Sequence, residues 1–137
     1  MNTKNQTTAG VPRISRILVA TDFSPQASHA LEWARSLADA FGAKLILLHV
    51  IDVFGLALRE EADKRMGELK ALIPDAQIVI REASTRPAIV DAALELNCQM
   101  IVMGAHGHSE LEQLFWGSVA DYVVRNSKVP VLTVRGN

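Results

Sequence analysis

Apolar residues along this chain fall into two kinds of segment that alternate. Short runs rich in Ile, Val and Leu occupy residues 16–21, 44–51, 77–82, 100–103 and 131–134. They show no period-2 alternation, as expected of strands covered by helices on both faces. Between them, apolar residues recur at helical spacing. Ala27, Ala30, Leu31, Ala34, Leu37, Ala38 and Phe41 form one stripe, opened by Ser24-Pro25 and stopped by Gly42. Its small alanines predict close approach to a sheet. A weaker helical pattern covers 56–73, carries charges at Arg59, Glu60, Glu61, Asp63, Lys64 and Arg65, and stops at Pro74. Pro87 opens a third helix, with Ile89, Val90, Ala93 and Leu94, that ends near Asn97; residues 117–126 make a fourth. The alternation predicts an α/β fold, a three-layer α/β/α sandwich around a five-stranded, mostly parallel sheet.

Composition sharpens this picture. A chain of 137 residues with 49% hydrophobic content fits one domain with a real core. We expect residues 1–13 to be a disordered polar tail and 14–137 to be the folded domain. The longest apolar runs, such as 45–48, are far too short to span a bilayer, and residues 1–10 lack the apolar stretch of a signal peptide. The single cysteine, Cys98, excludes an intrachain disulfide and reads as an inert buried thiol. These features point to a cytoplasmic protein with no membrane association. With a formal net charge of −1 and no Lys/Arg cluster, nothing favours nucleic-acid binding.

Candidate chemistry concentrates near the C-terminus, at Gly104-Ala105-His106-Gly107, nine residues, then Gly117-Ser118. The apolar run ending at Met103 stops at the first glycine, and a helical pattern starts after Ser118. The motif therefore joins a buried strand to a helix N-terminus, where unpaired N–H groups and the helix dipole favour an anion. The functional reading is a phosphate cradle in which Gly104 and Gly107 allow close backbone approach while Gly117, Ser118 and Val119 offer donors. The plain alternatives are a tight turn needing positive φ at the glycines and a simple N-cap at Ser118. Asp22 follows the first strand. Its carboxylate would repel phosphate, so it accepts from ribose or base groups or acts through Mg²⁺; alternatively it complements the helix that starts at Pro25. Ala20 and Thr21 shape the same pocket. His106 and His108, with Glu110 and Glu112, lack a defined metal-ligand set; His106 near the phosphates, or solvated loop side chains, is the better reading. Phe115 and Trp116 anchor the glycine loop, His29 lies on a helix surface, and His49 is a strand residue.

The spacing Gly-x2-Gly-x9-Gly-Ser, together with Ile17-Leu18-Val19-Ala20-Thr21-Asp22 and Val129-Pro130-Val131-Leu132-Thr133-Val134, resembles the ATP-binding type of the universal stress protein family. The resemblance covers about residues 15–135. It implies strand order 3-2-1-4-5, which places the point of strand-order reversal between strands one and four, where such sheets bind ligands. It also implies adenine-nucleotide binding: ATP, or AMP or ADP, with or without Mg²⁺. The matching contacts are Asp22 with the nucleoside, the backbone of Val50 with adenine, Met103 and the glycines around the ribose and phosphates, and Ser118 on the phosphates. A homodimer through the last strand, from Val129 to Val134, and an unknown protein partner are implied as well. Two departures stand out. Thr85-Arg86-Pro87 replaces the family's Gly-x-Pro, which alters the adenine side, and the connection over 52–76 is short.

No P-loop, dinucleotide-binding glycine motif or nucleophile elbow occurs. The glycine motif also lacks the Lys or Arg of a phosphoryl-transfer site. The sequence reading is thus a nucleotide-dependent regulatory or interaction module of the stress response. The rival readings are a slow ATPase and a nucleotide-independent interaction module.

Overall fold

A computed structural model describes residues 10–53, 59–106 and 117–136. Five strands and four helices alternate: β1 (Arg16–Ala20), α1 (Pro25–Phe41), β2 (Lys44–Asp52), α2 (Arg59–Leu72), β3 (Gln77–Ala83), α3 (Thr85–Glu95), β4 (Met100–Gly104), α4 (Ser118–Asn126) and β5 (Val131–Val134). The strands form one sheet in the order β3-β2-β1-β4-β5. All four pairings are parallel, so the sheet is wholly rather than mostly parallel.

The missing period-2 signal in the strands has a direct cause. Side chains of β1 do alternate, but both faces are apolar. Ile17 and Val19 join a cluster with Ala30, Leu31, Ala34 and Ala38 of α1 and Met66 of α2. Leu18 and Ala20 join a second cluster with Ile89, Ala92 and Ala93 of α3 and Ala120 and Val123 of α4. Ile46 and Leu48 follow the second pattern, and Leu45 and Leu47 the first. The alanines of α1 bring its axis close to the sheet, as the stripe predicted.

Helix ends follow local chemistry. The Ser24 hydroxyl accepts from the Ala27 N–H at 3.1 Å and Pro25 occupies the first turn. Gly42 closes α1 at φ +66, and the Ala43 N–H reaches back to the Ala38 carbonyl at 2.9 Å. Asn97 does the same for α3 at φ +57: its N–H bonds the Leu94 carbonyl at 3.1 Å, and that of Cys98 the Ala93 carbonyl at 2.8 Å.

Several boundaries differ from the sequence reading. β1 ends one residue early, at Ala20, because Thr21 turns its hydroxyl oxygen back onto the Phe23 N–H at 3.0 Å. α3 begins at Thr85, so Pro87 sits within its first turn, where the missing N–H has no intrahelical partner to lose. α4 begins at Ser118, with Gly117 as its N-cap. The start of the second predicted helix falls at 54–58, and residues 1–9 of the predicted tail, Gly107, His108, Glu110, Glu112, Phe115 and Trp116 also lie outside the described residues. Among the described residues, no helix is long and apolar enough to cross a membrane, and no group of three His, Cys, Asp or Glu is placed to hold a metal ion.

Candidate functional site

A cavity of about 440 Å³ opens beyond the carboxyl ends of β1 and β4, where the strand order reverses. Ala20, Thr21 and Asp22 line it after β1, and Met103, Gly104, Ala105 and His106 line it after β4. Leu48 and Val50 come from β2, Thr85 and Ile89 from α3, and Gly117, Ser118, Val119 and Ala120 from the start of α4. Every sequence-predicted site residue within the described part of the chain is therefore on the cavity wall; Gly107 lies outside it. Ala27, Leu48, Thr85, Ile89, Ala105 and Ala120 are additional. Leu48 and Ile89 read as ordinary core residues in the sequence, since a pocket wall and a core face have the same apolar pattern.

The loop after β1 is tightly folded. The Thr21 N–H continues the sheet to the Leu48 carbonyl at 2.9 Å, and the Thr21 carbonyl accepts from Nδ1 of His49 at 2.8 Å. Asp22 Oδ1 accepts from the Ser24 N–H at 3.0 Å. With two side chains closing successive turns, Phe23 is forced to φ +65. Its ring stacks on His49 with centroids 4.3 Å apart, and the Arg65 guanidinium lies 5.4 Å above it. Asp22 thus serves the entry to α1, as the plain alternative held, while also lining the cavity.

The loop after β4 is fixed differently. Gly104 lies outside the positive-φ region, so the tight-turn explanation fails for it. Close packing is the reason for glycine: an added Cβ would stand 3.2 Å from the His106 carbonyl oxygen and 3.3 Å from Cβ of Gln26. Gln26 also accepts the His106 N–H through Oε1 at 3.1 Å. The Ala105 N–H bonds the Val134 carbonyl at 2.9 Å, and the Ala105 carbonyl accepts from the Gly117 N–H at 2.9 Å. This last bond corrects the expectation that the Gly117 N–H serves a ligand. The donors left for an anion are the Ser118 hydroxyl and the amides of the first turn of α4, which have no intrahelical acceptor.

The cavity therefore combines an apolar wall, an acidic rim at Asp22 and a helix N-terminus. That is the chemistry of a site for an anion attached to a flat apolar group. Cys98 takes no part. It is buried in the connection between α3 and β4, where burial pushes its thiol up and nearby Arg16 opposes the shift.

Comparison with known proteins identifies the family and the fold. The model of the universal stress protein family matches residues 13–135. A universal stress protein of Thermus aquaticus is 35% identical, covering 87% of this chain and 97% of its own. The solved structure of MJ0577, a universal stress protein of Methanocaldococcus jannaschii, superimposes with a TM-score of 0.83 at 30% identity, over 92% of this chain and 99% of that one. A universal stress protein solved in complex with cAMP superimposes with a TM-score of 0.69 at 27% identity, over 90% and 98% of the two chains.

Proposed function

The chain belongs to the universal stress protein family, and on that premise we propose that its cavity binds an adenine nucleotide, ATP or its AMP and ADP counterparts. The observation that carries this is the cavity at the strand-order reversal, closed on one side by the first turn of α4. Phosphates meet the Ser118 hydroxyl and the first-turn amides, Asp22 accepts from the ribose or holds Mg²⁺ against the phosphates, and the base lies against Val50 and Ile89. The relative solved with cAMP supports an adenine nucleotide. The role is a nucleotide-dependent regulatory or interaction module, cytoplasmic and paired as a homodimer through the free side of β5. Binding, rather than phosphoryl transfer, is favoured because the described wall residues offer the phosphates no Lys or Arg clamp.

Thermal unfolding of nucleotide-free protein with AMP, ATP, Mg²⁺-ATP and GTP tests this reading. A ligand at one hundred times its Kd adds about 2.7 kcal/mol, so adenine nucleotides raise Tm. Gly117→Phe fills the phosphate side; the N-cap at φ −67 accepts any L-residue, so the fold survives while the shift disappears. No shift in the parent protein overturns the reading in favour of nucleotide-independent protein contacts. Light scattering tests the dimer, and a strict monomer at high concentration rejects it.

A further inference from the structure

Thr85 is the first residue of α3 and lines the cavity. Its hydroxyl donates to Oδ2 of Asp52, the last residue of β2, at 3.2 Å. A carboxylate oxygen accepts, so this bond fixes the direction of the hydroxyl proton. What Thr85 then offers to a molecule in the cavity is an acceptor.

Its position gives that polarity a meaning. Ser118 opens α4 just past the end of β4, where the Gly117 N–H bonds the Ala105 carbonyl, whereas Thr85 opens α3 at the end of β2, on Asp52. One strand, β1, lies between them, so the two ends are separated by two strand spacings, about 10 Å. That is the reach of a nucleoside monophosphate from phosphate to base. With the phosphate on α4, the base lies among Leu48, Val50 and Ile89 with its edge toward Thr85. At position 6 an amino purine presents a donor toward Thr85; an oxo purine presents an acceptor there, with its donor at N1 instead.

Building on the nucleotide-binding reading above, we infer that the Thr85–Asp52 pair reads the base, selecting 6-amino over 6-oxo purines. Asp52 is a positioning residue that sets the hydroxyl's polarity; Thr85 makes the contact.

Calorimetric titration with AMP and with inosine monophosphate, which differ at position 6 (amino donor against oxo acceptor) and at N1 (acceptor against N–H donor), tests the pair. The parent protein prefers AMP by about tenfold or more, the factor expected for facing two acceptors without water. Thr85→Val brings the ratio near one, and Thr85→Ser preserves it. Asp52→Asn releases the hydroxyl to donate or accept, so the ratio shrinks chiefly by a gain in inosine monophosphate affinity. This gain is a change that mere loss of packing would not produce. Unfolding curves check that each variant is folded; should Thr85→Val not fold, the Asp52→Asn ratio decides. An unchanged ratio in folded Thr85→Val or Asp52→Asn overturns base reading while nucleotide binding stands. Failure of the parent protein to bind either nucleotide overturns the nucleotide-binding reading, and this inference with it.

Discussion

The side-chain carbonyl of Gln26, on α1, accepts the backbone N–H of His106 at 3.1 Å. A helix that packs mainly on one face of the sheet thereby braces the rim of a cavity walled by helices of the other. The same side chain stands 3.3 Å from where a Cβ at Gly104 would be. One glutamine therefore explains both the glycine and the course of the chain after it.

Gln26→Ala leaves the His106 N–H without this acceptor. We expect a loss of about 1–2 kcal/mol in urea unfolding, with weaker nucleotide binding by calorimetry. Gln26→Glu keeps an acceptor and adds a negative charge near the phosphate side. It retains most of the stability and loses affinity, so the two variants separate bracing from electrostatics.

Gly104→Ala pushes a methyl group against the His106 carbonyl and Gln26, and those neighbours must give by a few tenths of an ångström. The expected loss is about 1 kcal/mol, with at least a several-fold loss of nucleotide affinity. An Ala variant of parental stability and affinity shows that the close approach is not needed.

Phe23 combines a backbone strain with a favourable stack. Phe23→Ala loses the contacts with His49 and Arg65 and keeps a side chain at φ +65. Phe23→Gly loses the same contacts and relieves the strain. The glycine variant is therefore more stable than the alanine variant by about 1 kcal/mol, measured by denaturant unfolding. The reverse order shows that the loop does not hold this conformation.

Burial raises the Cys98 thiol above its ordinary value of 9.0. Below that value the thiol is protonated in both folded and unfolded chains, and its contribution to stability is fully present. As the pH rises, the unfolded chain ionises first and the contribution is lost through the folded value. The parent protein thus loses more stability than Cys98→Ala between about pH 8 and about pH 10. Parallel losses in denaturant midpoint reject this.

Residue patterns made the layers and the site region legible. Ser24-Pro25, Gly42 and the alanine stripe mark α1 because caps and small faces are local chemistry. Gly104, Gly117 and Asp22 lie where a strand ends or a helix begins, so their shared cavity follows from topology. Gln26 was illegible: a polar residue in the first turn of a helix carries no signal that it reaches β4. The Gly117 N–H was misassigned because its partner, the Ala105 carbonyl, depends on how the chain returns from residue 106 to residue 117. Thr85 showed only as a departure from the family pattern; its bond to Asp52 needs two elements brought together in space.

Ala105 uses both of its backbone groups, its N–H on Val134 of β5 and its carbonyl on the Gly117 N–H. Just past β4 the chain is thus tied on both sides of one residue, to β5 and to the N-cap of α4. In hydrogen-exchange terms, the amides of Ala105 and Gly117 open with the sheet. Their deuterium uptake is expected to be as slow as that of β4.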